Sequence, residues 1–261
     1  MPEGDSIFRA ARTLDRALAG RTVTRFQSVF PRLTRIDHDR PLRGQTLERV
    51  TARGKHLLMW FSGRTVLHTH MRMKGSWHLY RPGERWLSPR DAMRIVIETD
   101  DWQAVAFNVP TAEFVDARAA ERTRLAELGP DLLSDEFDAD EAVRRLQAHA
   151  DLEIADALLD QQALAGIGNI YKSEALYACR LSPFIRVADV PRRQLEKVVA
   201  AARRLLRAHA SDGARPGPRA VYGRGGQPCR LCGTAIKRGA QGPNARSTYW
   251  CPRCQCEDRS T

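Results

Sequence analysis

The first residues of the chain combine an amine and a carboxylate that can do chemistry together. Pro2 and Glu3 follow Met1, and Gly4, which we expect to allow a tight turn, comes next. If Met1 is removed, the ring nitrogen of Pro2 becomes a secondary amine, and α-amino groups with a pKa of about 8 are partly neutral at working pH. Such an amine can attack a sugar C1′ and form a Schiff base, while Glu3 supplies a proton. Read alone, however, "PEGDS" better describes a plain helix start.

Two further stretches present polar groups at glycine turns. In "TARGKHLLMWF", Lys55 follows Gly54 between two predicted strands, so its ammonium can project from a hairpin tip, although an ordinary surface lysine also fits. In "LLDQQALAGIGNIYKSEALY", Gly166 and Gly168 lead into a helix, with Asn169 and the first N–H groups directed outward. A helix N-terminus reached through glycines suits a phosphate, and an ordinary helix hairpin explains the residues comparably well.

Four of the six cysteines form two close pairs with metal-ligand spacing. The pattern is C-x2-C, eighteen residues, then C-x2-C, and its members are Cys229, Cys232, Cys251 and Cys254. This spacing predicts a tetrahedral four-thiolate zinc site in preference to disulfides. Because the protein fills all four positions, the ion is expected to be structural, with no place for a catalytic water. Cys179 is expected to be a small core residue, and Cys256 a bystander.

Composition and charge narrow the class of protein that must position these groups. The 261 residues are 43% hydrophobic and 28% charged, which is typical of a globular protein. A run of about 18 apolar residues, as a membrane span needs, is absent, and the chain lacks a basic and then apolar leader, so we expect a cytoplasmic protein. A net charge of +11 favours a polyanionic partner, with nucleic acid first and a merely solvated basic surface as the alternative.

The hydrophobic pattern changes twice along the chain. Residues 6–18 have the spacing of an amphipathic helix behind Asp5 or Ser6 as the N-cap. From about 22 to 116, short β-rich runs between turn residues predict an antiparallel sandwich or barrel. Helical patterns then cover 139–149, 152–160, 170–178 and 191–210, before a Gly-, Pro- and Arg-rich connection leads into the cysteine hairpin.

Five motifs, in chain order, resemble those of one enzyme family. They are "PEGDS", "RGKHLL", "LGPDLL", "LLDQQALAGIGNIYKSEALY" and the final "YGRGGQPCRLCG" with "RSTYWCPRCQ". Together they extend nearly from end to end and resemble the formamidopyrimidine-DNA glycosylase and endonuclease VIII family of base-excision repair enzymes. The "PEG" start is similar to the endonuclease VIII branch, in its PEGD-type, actinobacterial-looking members.

The resemblance implies an α+β fold of two lobes. An N-terminal helix and antiparallel β-sandwich (1–122) would precede a helix-two-turn-helix domain (123–213), and a linker with a four-cysteine zinc-finger hairpin (214–261) would follow. DNA would lie in the cleft between the lobes. The expected partner is damaged double-stranded DNA, bound by a monomer at the nucleoid and without a membrane.

The resemblance also implies roles for particular residues in a bifunctional glycosylase and AP lyase acting on oxidised bases, pyrimidines first. Pro2 would be the Schiff-base nucleophile and Glu3 the proton donor in base removal. Lys55 would donate the proton for β-elimination. Arg246 would grip the phosphate and assist δ-elimination, and Asn169 would bind the phosphate beside the lesion.

Base removal from a duplex requires the damaged base to be flipped out, which leaves a hole to be filled. In "HTHMRMKGSW", Met73 is the expected wedge and Arg72 the contact to the orphaned base, although a strand residue in the core is also a reasonable reading of Met73. His68 and His70 alternate onto one strand face, and with no third metal ligand evident we expect a structural or phosphate-facing role for them.

Some positions depart from the family pattern. Ser6 stands where many relatives carry Glu, and Glu127 where they have a basic DNA contact, for which Arg124 is expected to compensate. Two alternative functions follow. One is a non-catalytic zinc-containing DNA-binding module of the same fold, and the other, within the enzyme class, is a purine-directed formamidopyrimidine-DNA glycosylase.

Overall fold

The computed structural model describes residues 2–120, 125–211 and 217–256 of the chain, and for residues 119–120 the backbone alone. The chain divides into two units, Met1–Glu127 and Leu128–Thr261. The first unit combines one long helix with two antiparallel sheets, and the second consists of helices and a β-hairpin. The α+β expectation is therefore confirmed.

The predicted β region folds as two sheets. The order is β1-β3-β4-β5-β9 in the five-stranded sheet and β2-β7-β8-β6 in the four-stranded sheet, and every neighbouring pair is antiparallel. Side chains from both sheets share one core, so of the two predicted architectures the sandwich is correct. The strands are β1 Arg21–Thr22, β2 Arg25–Ser28, β3 Thr46–Arg53, β4 His56–Phe61, β5 Thr65–His70, β6 Ser76–Tyr80, β7 Met93–Glu98, β8 Gln103–Phe107 and β9 Thr111–Asp116.

Helix α1 (Gly4–Leu18) completes this core. Its buried apolar residues recur at helical spacing, as Ile7, Ala11, Leu14 and Leu18. They pack with alternate residues of β4, namely Leu57, Met59 and Phe61, because a strand turns every second side chain to the same face. Burying one such side chain contributes roughly 1.5–3 kcal/mol, so this shared core holds the helix on the sheet.

Two hydrogen bonds set the direction of α1 along the sheet. The Asp15 carboxylate accepts the Val50 N–H in β3 at 2.7 Å, and the Gly20 N–H donates to the Leu47 carbonyl at 2.8 Å. From Asp15 in the helix to Gly20 just after it, the partner in β3 moves backward from residue 50 to residue 47. The helix and β3 therefore run antiparallel, and the start of α1 lies toward the end of β3.

One helix interrupts the stretch predicted as purely β. Helix α2 spans Pro31–Asp39, with Pro31 at its first position, where the missing N–H of proline costs nothing. Leu33 is its one buried residue, and the helix packs against β2 and β9. With so small an apolar face, the helix has little periodicity to reveal it in the sequence. A short helix α3, Ala117–Ala120, follows β9.

The second unit follows the predicted helical pattern with one shortening. The 152–160 prediction holds only for one helical turn, because the N–H groups of Leu159 and Asp160 bond to carbonyls three residues back and end the α-helix. None of the described helices is long and apolar enough to cross a membrane. The elements are α4 Ala139–Gln147, α5 Ile154–Ala157, α6 Asn169–Ala178, α7 Arg192–Ala210, β10 Lys237–Gln241 and β11 Arg246–Trp250.

The "LGPDLL" motif packs against the loop that precedes α6. Gly129 donates its N–H to the Gln161 carbonyl at 2.9 Å, and the Ala165 N–H donates to the Pro130 carbonyl at 3.0 Å. A Cβ at residue 129 would lie 2.5 Å from the Ala163 carbonyl oxygen, a distance too short for any side chain. Glycine is thus required here because two backbones touch.

We expect Gly129→Ala to lower the free energy of unfolding by about 1–3 kcal/mol, since the added methyl forces two backbone segments apart. Gly217→Ala is the matched control, because a Cβ there meets open space. Urea unfolding followed by circular dichroism measures both variants. If Gly129→Ala proves as stable as the parent, this backbone packing is not as described.

Candidate active site and zinc centre

The start of the chain is held by the hydroxyl of Ser6. The Glu3 N–H donates to Ser6 Oγ at 3.0 Å, and the Ser6 hydroxyl donates to the Glu3 carbonyl at 2.9 Å. Glu3 is the N-cap of α1, so the expected cap at Asp5 or Ser6 is wrong. Gly4 is the first helical residue instead of a turn. Glu3 is only 1% exposed, and its backbone is fixed on both sides.

Lys55 lies at the tip of the β3–β4 hairpin, as predicted. Arg53 pairs with His56, so Gly54 and Lys55 form a two-residue connection. Gly54 has a φ of +57°. This conformation at the first central position is the one that a type II′ hairpin turn reserves for glycine. The half-buried Lys55 therefore projects from a rigid, register-fixed turn.

The antiparallel seating of α1 brings Glu3 and Lys55 to the same end of the first unit. From Asp15 back to Gly4 the helix extends about 17 Å. From Val50 to Lys55 the strand extends about 17 Å in the same direction. Since Asp15 and Val50 are hydrogen-bonded, both segments end at the same level. From these lengths we infer that Pro2, Glu3 and Lys55, which are far apart in sequence, lie at the same end of the first unit.

A cluster of imidazoles lies beside Lys55 and was only partly anticipated. His68 and His70 share one face of the sheet as predicted, and His56 joins them from β4, opposite His70. The rings of His56 and His70 meet edge to face with centroids 4.7 Å apart. The pKa of His56 is lowered to about 3 and that of His70 to about 4, mainly by burial, with the nearby Lys55 charge contributing to both shifts. Both rings are therefore neutral at working pH.

Residues 71–75 form a tight turn that presents Arg72 and Met73. The Gly75 N–H donates to the Met71 carbonyl at 2.8 Å, and a Cβ at residue 75 would lie 2.6 Å from that oxygen. Arg72 has a φ of +45°, a strained conformation for a residue with a side chain. Met73 is 59% exposed, so the core alternative for this residue is wrong. Its use as a wedge stays a prediction.

In the second unit, Asn169 and the β10–β11 hairpin are directly joined. Asn169 Nδ2 donates to the Ser247 carbonyl at 2.6 Å, and the exposed Arg246 is the neighbouring residue in β11. The outward direction expected for Asn169 is wrong: the residue is 5% exposed, because its amide is used by the hairpin. Its Oδ1 has no hydrogen-bond partner. Two residues expected to bind phosphate are thus brought close together.

A buried polar network that sequence reasoning missed supports this junction. Lys172 is fully buried, and its Nζ donates to Thr248 Oγ1 at 2.7 Å. Thr248 donates to Gln241 Oε1 at 2.6 Å, and Gln241 Nε2 donates to Glu153 Oε2 at 2.7 Å. Burial raises the pKa of Asp156, and Glu153 raises it further, while Lys172 opposes the shift. A lysine inside a helical pattern gives no signal of such burial.

The four predicted cysteines form one cluster. Their Sγ atoms all lie within 4.8 Å of one another, with Cys229–Cys254 at 3.9 Å and Cys232–Cys251 at 3.4 Å. Sulfurs at 2.3 Å from a tetrahedral zinc are about 3.8 Å apart, so the cluster fits one zinc ion. Cys256 lies outside it. The hydroxyl of Tyr177 in α6 approaches Cys229 Sγ at 3.2 Å and ties the site to the helices.

Models of known protein families match three regions of the chain. The formamidopyrimidine-DNA glycosylase N-terminal domain matches residues 1–122, and the H2TH domain of the same enzymes matches residues 128–215. A zinc finger found in FPG and IleRS matches residues 226–255. The chain belongs to the formamidopyrimidine-DNA glycosylase and endonuclease VIII family. The boundaries 1–122, 123–213 and 214–261 stay a prediction.

Relatives of known name place the chain within that family, and a solved structure shares its fold. "Probable endonuclease 8 2" of Streptomyces coelicolor is 40% identical over 265 residues, covering 98% of this chain and 94% of the relative. "DNA-(apurinic or apyrimidinic site) lyase Nei2" of Mycolicibacterium smegmatis is 37% identical, with 98% and 99% covered. The Lactococcus lactis formamidopyrimidine-DNA glycosylase, solved with AP-site DNA, has the same fold, with a TM-score of 0.85 at 22% identity over 98% of this chain and all of that one.

Two family positions need comment in this chain. Arg124, the expected compensating DNA contact, lies outside the described residues. Glu127, which stands at the second of these positions, is exposed. Ser6, where many family members carry Glu, holds both backbone groups of Glu3 through its hydroxyl. This departure therefore has a structural use at the start of α1.

We expect Cys251→Ser to remove zinc binding and to destabilise the second unit, since a zinc site contributes directly to folding free energy. Cys256→Ser is the matched control and should keep one zinc per chain. Elemental analysis and release of zinc to a colorimetric chelator measure the metal content. Zinc retained by Cys251→Ser or lost by Cys256→Ser would contradict the ligand set.

Proposed function

We propose that the protein is a bifunctional DNA glycosylase and AP lyase of base excision repair. It removes an oxidised base through a Schiff base at Pro2 and nicks the strand by β- and δ-elimination. The observation that carries this proposal is the packing of α1 on β3, anchored by the Asp15–Val50 hydrogen bond, from which we infer that the chain start and Lys55 lie at one end of the first unit. An amine, a carboxyl group and an ammonium held together are the groups that this chemistry needs.

Base removal proceeds at the chain start after Met1 is removed. The Pro2 nitrogen forms a bond to C1′ as the bond between C1′ and the base breaks. The base leaves with that electron pair, and Glu3 supplies the proton that neutralises it. The sugar ring then opens at O4′, which takes up the proton that the Pro2 nitrogen gives up, and an iminium between Pro2 and C1′ remains.

Strand cleavage follows from the iminium. Loss of a C2′ proton expels the 3′ phosphate, and Lys55 supplies the proton to the leaving group. Arg246 grips the phosphate that leaves in the second, δ-elimination, and Asn169 holds the phosphate beside the lesion. The Asn169–Ser247 hydrogen bond supports these two phosphate-binding roles, since it brings Asn169 next to the residue that follows Arg246.

Damaged double-stranded DNA is the partner. The net charge of +11 suits a polyanion, and the exposed turn with Arg72 and Met73 can enter the space left by a flipped base. The Lactococcus lactis structures contain DNA with an AP site, and a related one contains carbocyclic 8-oxo-G. A monomeric state stays a prediction.

Oxidised pyrimidines are the favoured lesions. The PEGD start resembles the endonuclease VIII branch, and two relatives that are 40% and 37% identical bear endonuclease 8 and lyase names. Purine-directed action remains the second candidate, because "Formamidopyrimidine-DNA glycosylase" of Corynebacterium aurimucosum is 32% identical over 282 residues.

Borohydride trapping on abasic-site DNA tests the reaction. The protein lacking Met1 should form a covalent adduct, and Pro2→Gly should reduce the adduct at least about 100-fold, because the secondary ring amine and its fixed direction are replaced by a primary amine on a flexible residue. Asp39→Asn, an exposed carboxylate at the end of α2, serves as the control. DNA binding without any adduct would favour the non-catalytic module.

A comparison of two lesions tests the base preference. We expect single-turnover excision of oxidised thymine to exceed that of oxidised guanine by about ten-fold or more, a difference of roughly 1.4 kcal/mol in transition-state binding. Matched duplexes that differ only in the lesion supply the measurement. Faster excision of oxidised guanine would select the purine-directed alternative.

A further inference from the structure

A line of three titratable side chains crosses the five-stranded sheet next to Lys55. His56 begins β4 directly after the hairpin tip, His68 lies on β5, and Glu113 lies on β9. His68 is paired with Glu113 across the strands, and His56 is its diagonal neighbour on the other side. The three side chains therefore occupy one face of three adjacent strands. None of them has a role in the reaction described above.

Hydrogen bonds connect these side chains into a chain. His68 Nδ1 lies 3.0 Å from Glu113 Oε1, and His68 Nε2 lies 2.7 Å from His56 Nδ1. The Glu113 carboxylate can only accept, so His68 must carry its proton on Nδ1. With its one proton on Nδ1, His68 offers a lone pair on Nε2, which accepts the Nδ1–H of His56. One carboxylate thus determines both tautomers and leaves a lone pair on His56 Nε2.

The neighbouring His70 has the opposite arrangement of donor and acceptor nitrogens. His70 Nδ1 accepts the backbone N–H of Arg72 at 3.1 Å, so neutral His70 carries its proton on Nε2. Its outer nitrogen is a donor, as a phosphate requires. The outer nitrogen of His56 is an acceptor, which would repel a phosphate. His56 therefore does not duplicate the function of His70, although their rings touch.

The charges around His56 keep it in this neutral state. Burial is the main cause of its low pKa, and His68, His70 and Lys55 all oppose a further positive charge. Arg72 acts on His70 in the same sense. Glu113 is the single carboxylate hydrogen-bonded to the cluster among the described residues, and it contacts His68 instead of His56. His56 is thus neutral at working pH.

We propose that the Glu113–His68–His56 chain positions Lys55, with the lone pair of His56 Nε2 accepting one N–H of the Lys55 ammonium. His56 directly follows Lys55 at the Gly54–Lys55 hairpin tip, and His70 is its partner across the strands. The charge of Lys55 lowers the pKa of both histidines. This role rests on the proposed function, in which Lys55 protonates the leaving group during β-elimination. His56 is accordingly a positioning residue that acts through Lys55.

A neutral acceptor suits this task better than a carboxylate. An ammonium has three N–H donors, so one bond to His56 leaves two for other partners. A carboxylate in the same place would form an ion pair, stabilise the charged form of Lys55 and hold back the proton that the reaction needs. The carboxylate of the chain is instead two rings away, where it orients His56 without binding the ammonium.

Nitrogen NMR of histidine labelled with ¹⁵N tests the tautomers without reference to activity. At pH 7 we expect His56 and His68 to carry their protons on Nδ1, and His70 to carry its proton on Nε2. Glu113→Gln should mix the tautomers of His68 and His56, because an amide can either donate or accept. Glu48→Gln, an exposed carboxylate on β3 of the same sheet, should leave them unchanged. A proton on His56 Nε2 at pH 7 overturns the proposal.

Single-turnover kinetics on abasic-site DNA test the action through Lys55. We expect Glu113→Gln to lower the rate of β-elimination about ten-fold relative to the rate of borohydride adduct formation, since misplacement of a proton donor affects only the step that uses it. In a Lys55→Gln background, Glu113→Gln should have no further effect on that ratio. A merely structural role would lower both rates together and would persist without Lys55.

The outcomes separate the two proposals. If the unsubstituted protein forms no adduct and no strand break, the proposed function fails, whatever the tautomers are. If it is active but Glu113→Gln leaves the ratio of the two rates unchanged, the positioning role of His56 is wrong and the proposed function stands. Additive effects of the Lys55 and Glu113 substitutions would also show that the positioning role is wrong.

Discussion

The antiparallel seating of α1 on β3 is the constraint on which the first unit depends. The Asp15–Val50 hydrogen bond and the shared apolar core fix the helix in direction and height. Because a helix advances about 1.5 Å and a strand about 3.3 Å per residue, a single anchor point determines which residues meet at the far end. That end carries Pro2 and Glu3 on one element and Lys55 on the other. A shift of one helical turn would separate the amine from the ammonium.

In the second unit, polar groups fix the position of the β10–β11 hairpin relative to the helices. Its hairpin is joined to the helices by Lys172, Thr248, Gln241 and Glu153, which hydrogen-bond in series. A buried ammonium without partners is costly, so this network tolerates few alternative arrangements of the hairpin. The same hairpin carries Arg246, and its Ser247 carbonyl accepts a hydrogen bond from the Asn169 side chain. Zinc holds the far end, where Tyr177 reaches Cys229.

Much of the architecture could be predicted because its signals are local. The apolar spacing of α1, the Gly54 turn before β4 and the paired cysteines each follow from residues close together in sequence. Helix α2 escaped prediction because Leu33 is its one buried residue, and the N-cap was misplaced because Ser6 bonds backward to Glu3. The short helix α5 ends in tighter turns that a periodicity pattern does not distinguish from a longer helix.

By itself, the sequence determined the kinds of element, the zinc ligands and the residue types available for catalysis. These depend on spacing, on turn chemistry and on the reactivity of single side chains. Only the tertiary structure decided that His56, His68 and Glu113 form one hydrogen-bonded chain and that Lys172 is buried, because these facts depend on strand register and on packing between distant segments. The same holds for Asn169, which the sequence places at a helix start and the fold turns toward Ser247. Long-range contacts of this kind have no counterpart in local pattern, since they arise only when separate elements share a core.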